Sequence, residues 1–265
     1  MTKLRTTKPI RGILFDKDGT LFDFAFLWED VARVIACRIA RHHGLHGHHH
    51  GEAMLARAGV MMDFQGIAKG WTAHLREQGA ESANETEMLA ALVEHFNDLT
   101  LVRPERVRTT IAGLREGLEE LKKLGFWLGV ASNDNLQSVW TCLRAAGMET
   151  LFDSVAGLDG QTRSKPHAEM LTAFAAAHGL EPSEIAMIGD SVVDMEFARN
   201  AGALALAVTC GVGHRQQLEM IADAVCDHPL HAIAMIHEHN RQMEEGTRHK
   251  ALGEGKFFGS EGLRV

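Results

Sequence analysis

The sequence predicts an α/β protein: a mainly parallel, doubly wound sheet with a block of helices inserted after its first strand. Three observations carry this. The apolar run Ile13, Leu14, Phe15 halts abruptly at Asp16, Lys17, Asp18, Gly19 and Thr20, as a buried strand does where an open sheet places its chemistry. Residues 22–102 show only helical spacings. From Ile111 onward, helical segments and short apolar runs alternate.

Taken in order, Phe22, Phe24, Phe26, Leu27, Val31, Val34, Ile35 and Ile39 predict one long helix to about Arg41, with further helices over 52–60, 65–78 and 85–99. Leu114, Leu118, Leu121 and Leu124 line a helix ending at Gly125, and residues 126–131 form a strand that stops at Ser132 and Asn133. Then come a helix over 135–146, a weak strand over 152–157, a helix over 167–178 and a strand over 185–188 that runs into Gly189 and Asp190. A helix over 194–200 and strands over 203–208 and 224–226 complete the pattern. The core is therefore discontinuous, 1–21 joined to 103–238 across the helical insert 22–102. Residues 239–265 lose regular apolar spacing and read as a flexible tail or arm, with Phe257 and Phe258 as possible anchors.

Composition narrows the class. The 265 residues carry 27 Lys and Arg against 35 Asp and Glu, a formal charge of -8, with no basic tract. Electrostatic capture of nucleic acid or of an anionic membrane is not expected. Cys37, Cys142, Cys210 and Cys226 are widely spaced and read as reduced thiols. The start MTKLRTTKPIRG has no apolar leader, and no uncharged apolar run approaches the roughly 20 residues needed to span a bilayer. These features predict a soluble, cytoplasmic protein.

The strand ends carry the chemistry. A carboxylate can attack phosphorus and hold the phosphoryl group, provided a cation neutralises the approach of two anions. Asp16 is placed to do so. Residues i and i+2 of an extended loop project to one side, so Asp18 can protonate a leaving oxygen and later take a proton from water. Gly19 lets the chain bend close to a phosphate or metal, and the Thr20 hydroxyl can brace the carboxylates. Lys17 is expected to point the other way. Ser132 and Asn133 offer donors to phosphate oxygens, although Ser132 alone also reads as a helix cap. Lys165 supplies a point charge, or by itself a solvent lysine. Asp190 can ligate a hard cation, with Asp194 joining or orienting the shell. Together the four strand ends suit one phosphate and one Mg²⁺.

Four motifs in order, DKDGT at 16–20, the strand ending at Ser132 and Asn133, Lys165 with Pro166, and GDSVVD at 189–194, resemble the haloacid dehalogenase-like hydrolase superfamily. The likeness spans residues 11 to about 235 and is nearest the phosphoglycolate phosphatase-like branch with a helical cap. The resemblance implies a Rossmann-like core with a mobile cap selecting the leaving group. It implies Asp16 as nucleophile, Asp18 as acid and base, Ser132 and Lys165 as phosphate ligands, and Asp16, Asp190, Asp194 and the Asp18 carbonyl around Mg²⁺. It further implies a small phosphorylated metabolite as substrate, with 2-phosphoglycolate or a sugar phosphate as candidates. Asp23 matches an acidic position that braces the first hinge, near residues 22–24, with the return crossing at 99–104.

Two alternatives share this fold, a phosphosugar mutase and a phosphate-ligand binding protein without turnover. The run HHGLHGHHHG at 42–51 holds six of the chain's 16 histidines and reads as a Zn²⁺ or Ni²⁺ site, a pH sensor, cationic contacts to an acidic substrate or a polar turn. Arg57, Lys69, Trp71, His74 and Arg76 are candidates for the inner face of the insert. The oligomeric state is open.

Overall fold

A computed structural model of the chain describes residues 4–58, 64–102 and 107–254. Six strands form one parallel sheet in the order β3-β2-β1-β4-β5-β6. They are β1 (Gly12–Phe15), β2 (Trp127–Asn135), β3 (Ser154–Leu158), β4 (Ile185–Gly189), β5 (Leu204–Val208) and β6 (Ala224–Cys226). Every residue of β1, β4 and β5 is buried. That is why these strands read as unbroken apolar runs: both faces of the sheet are covered.

Alternate side chains feed two cores. Ile13, Phe15, Leu128, Val130, Ile188 and Leu206 pack with Leu114, Leu118 and Leu121 of α5 (Leu114–Lys123) and with α6 (Leu136–Ala145) and α10 (Pro229–Glu254). On the other face Leu14, Met187 and Ala205 meet α7 (Glu169–His178) and α8 (Val192–Ala201) through Leu171, Phe174 and Phe197. A short helix α9 (Arg215–Glu219) precedes β6. The winding reverses beside β1, which places a crevice past the carboxyl ends of β1, β2 and β4.

Helices α1 (Phe24–His42), α2 (His48–Ala58), α3 (Phe64–Glu77) and α4 (Glu85–Val102) follow β1 and bury a cluster of their own. Ile35, Met54, Ile67, Trp71, Leu75 and Leu92 are its centre. Asp23 caps α1 by accepting from the Phe26 amide. The two crossings between insert and sheet run side by side, because Asp23 N donates to Arg108 O and Thr110 N to Leu21 O. Arg108 also donates to Asp23 Oδ2 at 2.6 and 3.1 Å and lies 3.7 Å over the Phe26 ring. The expected return crossing falls partly on 103–106, outside the described residues.

Strand β2 does not stop at Ser132 but continues to Asn135, with a register shift against β3 beyond Ala131. Residues 239–254 are not an irregular tail, because they continue α10. Asn240 explains it: its side chain accepts from Ile10 N at 2.8 Å and donates to Ile10 O at 2.7 Å. His239 bonds Lys8 O, and Arg241 pairs with Glu238 and Glu245 one turn away on either side. This helix end is held by polar contacts, which leave no apolar period. Phe257 and Phe258 lie outside the described residues. No helix among the described residues is long and apolar enough to cross a membrane.

Candidate active site

Local folding puts each carboxylate at a strand end. Asp16 follows β1 directly, its amide donating to Ile188 O of β4. Gly19 turns the chain with φ 76°, and any Cβ there would lie 2.4 Å from Asp190 Oδ2. Only glycine permits that approach. At the end of β4, Ser191 caps α8 and forms a capping box with Asp194, which fixes the Asp194 carboxylate at the mouth of the crevice.

Lys165 joins these pieces. Its ammonium lies 2.5 Å from Asp16 Oδ1 and 2.6 Å from Asp194 Oδ1, and all three residues are buried. Burial alone would push the lysine down, but the two carboxylates hold it above its usual range. Asp16 moves up to about 7, chiefly through burial, which outweighs the attraction of Lys165 and is reinforced by Asp194 and Asp18. Asp190 is raised well above the carboxylate range by burial and then by Asp16. A site that concentrates unwelcome negative charge in this way suits cations.

Asp16, Asp190 and Asp194 each bring a carboxylate oxygen within 4.8 Å of the others. An all-oxygen donor set of this kind fits a hard divalent cation. Among the described residues this is the only group of three His, Cys, Asp or Glu residues close enough to hold a metal. The described histidines of the run 42–51 are not among them. The run divides between the end of α1 and the start of α2, with the His49 and His50 rings 4.0 Å apart.

The remaining expected residues behave differently from one another. Ser132 is buried, and its Oγ accepts from Asp134 N at 3.1 Å. It does not cap α6, since Asn135 does so. Asn133 was expected among the phosphate donors. Its side chain instead accepts from Lys165 N at 2.6 Å and donates to Lys165 O at 3.0 Å, fixing the lysine backbone. Thr20 was expected to brace the carboxylates, but its buried hydroxyl has no partner among the described residues. Asp18 is raised by burial, against the pull of Lys17. Lys17 is not turned away from Asp18: it is fully buried, 2.9 Å from Asp18 Oδ2.

Sequence reasoning missed the loop after β5. Val212 N donates to Asp190 Oδ2 at 2.7 Å, and a Cβ on Gly211 would lie 2.1 Å from the same oxygen. A Gly-Val-Gly two residues past an apolar strand was the available signal. Of the insert candidates, Trp71 and His74 are buried, and Arg76 bonds Ala83 O. Lys69 is exposed, and the Arg57 side chain lies outside the described residues.

The family model described as haloacid dehalogenase-like hydrolase matches residues 10–202, from β1 to the end of α8. The chain belongs to that family. The chain is 34% identical over 137 residues to the "Probable phosphatase IndB" of Dickeya dadantii, covering 51% of its own length and 60% of that protein. It is 33% identical over 154 residues to a phosphoglycolate phosphatase of Caulobacter vibrioides, covering 57% and 65%. The matched stretch thus spans less than two thirds of either relative. A solved haloacid dehalogenase-like family hydrolase of Streptococcus pneumoniae shares the fold, with a TM-score of 0.63, 21% identity, and coverage of 85% of this chain and 98% of that one.

Proposed function

We propose that this hydrolase is a Mg²⁺-dependent phosphomonoester hydrolase that works through an aspartyl phosphate on Asp16 and acts on a small phosphorylated metabolite. The observation that carries this reading is the pairing of Asp16 with buried Lys165 while Asp18, two residues on, keeps an oxygen without a partner among the described residues. A nucleophile, a neutralising cation and a separate proton donor are what phosphoryl transfer needs.

In the first step Asp16 attacks phosphorus, the bond to the leaving oxygen breaks, and protonated Asp18 gives its proton to that oxygen, releasing an alcohol. In the second, water attacks the phosphorus, Asp18 takes the water's proton, and the bond to Asp16 breaks to release phosphate. Lys165 and the Ser132 hydroxyl hold the phosphoryl oxygens. Asp16, Asp190 and Asp194, with the Asp18 carbonyl, would hold Mg²⁺, which when bound supplies charge neutralisation of the phosphoryl oxygens. Asn133 keeps Lys165 in place rather than touching phosphate.

The insert of α1–α4 is assigned as a cap over this crevice, hinged where Asp23 meets Arg108, and closing to exclude water. The four free thiols suit a cytoplasmic setting. The resemblance to phosphoglycolate phosphatases puts 2-phosphoglycolate first in the substrate panel. Phosphate release from a panel of phosphomonoesters, with and without Mg²⁺ and ranked by kcat/KM, tests the reading. Metal-dependent release with one strongly preferred substrate supports it. Phosphoryl transfer between sugar hydroxyls without release would replace it with a mutase, and binding without turnover with a ligand-binding protein.

A further inference from the structure

Lys17 occupies the position between the two motif aspartates, yet it does not face solvent. Its side chain is fully buried, and its ammonium contacts Asp18 Oδ2 at 2.9 Å and Asp134 Oδ2 at 2.5 Å. Asp134 is itself fixed: its other oxygen accepts from Asn135 N at 2.7 Å, and its amide donates to Ser132 Oγ at 3.1 Å. The remaining oxygen of Asp18, Oδ1, is buried with no partner among the described residues.

A buried ammonium between two carboxylates is poor evidence for stability, because apolar side chains of similar volume do as well or better. What such a group does supply is a fixed geometry. One oxygen of Asp18 is tied down, and the other is left as the atom free to exchange a proton. The tether ends on the strand that carries Ser132, so acid and phosphate ligand are held in one frame across β1 and β2.

We propose that Lys17 and Asp134 form a positioning pair that sets the orientation of Asp18 for proton transfer to the leaving group and from water. This inference rests on the phosphatase reading above. Neither residue touches substrate in it.

The test compares two leaving groups. An alkyl phosphate such as 2-phosphoglycolate needs its leaving oxygen protonated, whereas p-nitrophenolate departs without a proton. With Lys17→Met, kcat/KM for the alkyl phosphate is expected to fall about 100-fold, the scale of a misplaced reacting group. Transfer from p-nitrophenyl phosphate to Asp16 should stay near the wild-type rate. The later attack of water still needs Asp18, so a stoichiometric burst of nitrophenol should precede slow turnover. Asp134→Asn should give the same pattern at smaller size, and it decides the matter should Lys17→Met fail to fold. Asp18→Asn sets the full pattern for comparison. Equal losses on both substrates without a burst, or no loss, in the Lys17 and Asp134 variants would overturn the positioning role alone if Asp18→Asn shows the pattern. Wild-type protein that releases phosphate from neither substrate would overturn the phosphatase reading, and this inference with it.

Discussion

Lys165 and Asp16, 149 positions apart in the chain, are joined by a buried contact of 2.5 Å between ammonium and carboxylate. The pair forms because two strand-end loops meet over β1, and Asn133 holds the lysine backbone from a third. Removing the charge should leave Asp16 and Asp194 facing one another without their shared cation. Lys165→Met is expected to lower kcat by about 100- to 1000-fold, the scale of losing one preorganised electrostatic contact. Phosphate release by the folded variant, checked by circular dichroism, measures this.

The raised carboxylates predict an unusual pH profile for the metal-free protein. Asp16 titrates near 7 when folded and near 3.8 when unfolded, so between these values the folded state binds the extra proton. Stability contributed by the protonated form is present below about pH 4 and is lost as pH rises through 7. Thermal unfolding without metal should therefore show a falling midpoint over that window. Asp16→Asn should flatten the fall and melt a few degrees higher at pH 8. Adding Mg²⁺ at about 100 times its Kd should restore about 2.7 kcal/mol to the wild type. A midpoint that rises from pH 4 to 7, or does not respond to Mg²⁺, would contradict the assignment.

Gly211 has no room for a side chain. With a Cβ 2.1 Å from Asp190 Oδ2, Gly211→Ala must displace either the loop or the carboxylate. Metal affinity is expected to weaken about 10- to 100-fold, as it does when the support of a ligand is lost. Calorimetric titration with Mg²⁺ reads this directly, independently of turnover.

Where the two crossings between insert and sheet meet, Asp23→Ala removes the α1 cap and the partner of Arg108 together. The cap is worth about 1 kcal/mol. The ion pair, more than half exposed on the arginine side, adds less than about 1 kcal/mol. Urea unfolding should show the sum, with Arg108→Ala losing only the smaller part and whatever its stacking on Phe26 contributes.

The sheet was readable because its central strands are buried on both faces, and so appear as apolar runs ending in Asp16 or Asp190. Lys17 was not readable in the same way. Strand alternation gives the direction of a Cβ, not the place to which a four-carbon stem carries its charge. Asn133 was assigned to phosphate because its partner, the Lys165 backbone, lies 32 positions away and leaves no local mark. The final turns of α10 were lost for a similar reason, since Asn240 is held by Ile10, 230 positions distant. Local period reports burial of apolar faces; polar tethers between distant segments need the folded chain.

The most direct test of the account is to trap the covalent intermediate. Enzyme turning over its preferred phosphomonoester with Mg²⁺ is quenched in acid, digested and mapped by mass spectrometry. The expected result is a phosphoryl group on the peptide that holds Asp16, absent in Asp16→Asn, which should fold but not turn over. A phosphoryl group on another residue, or Asp16→Asn turning over at a near-normal rate, would contradict it.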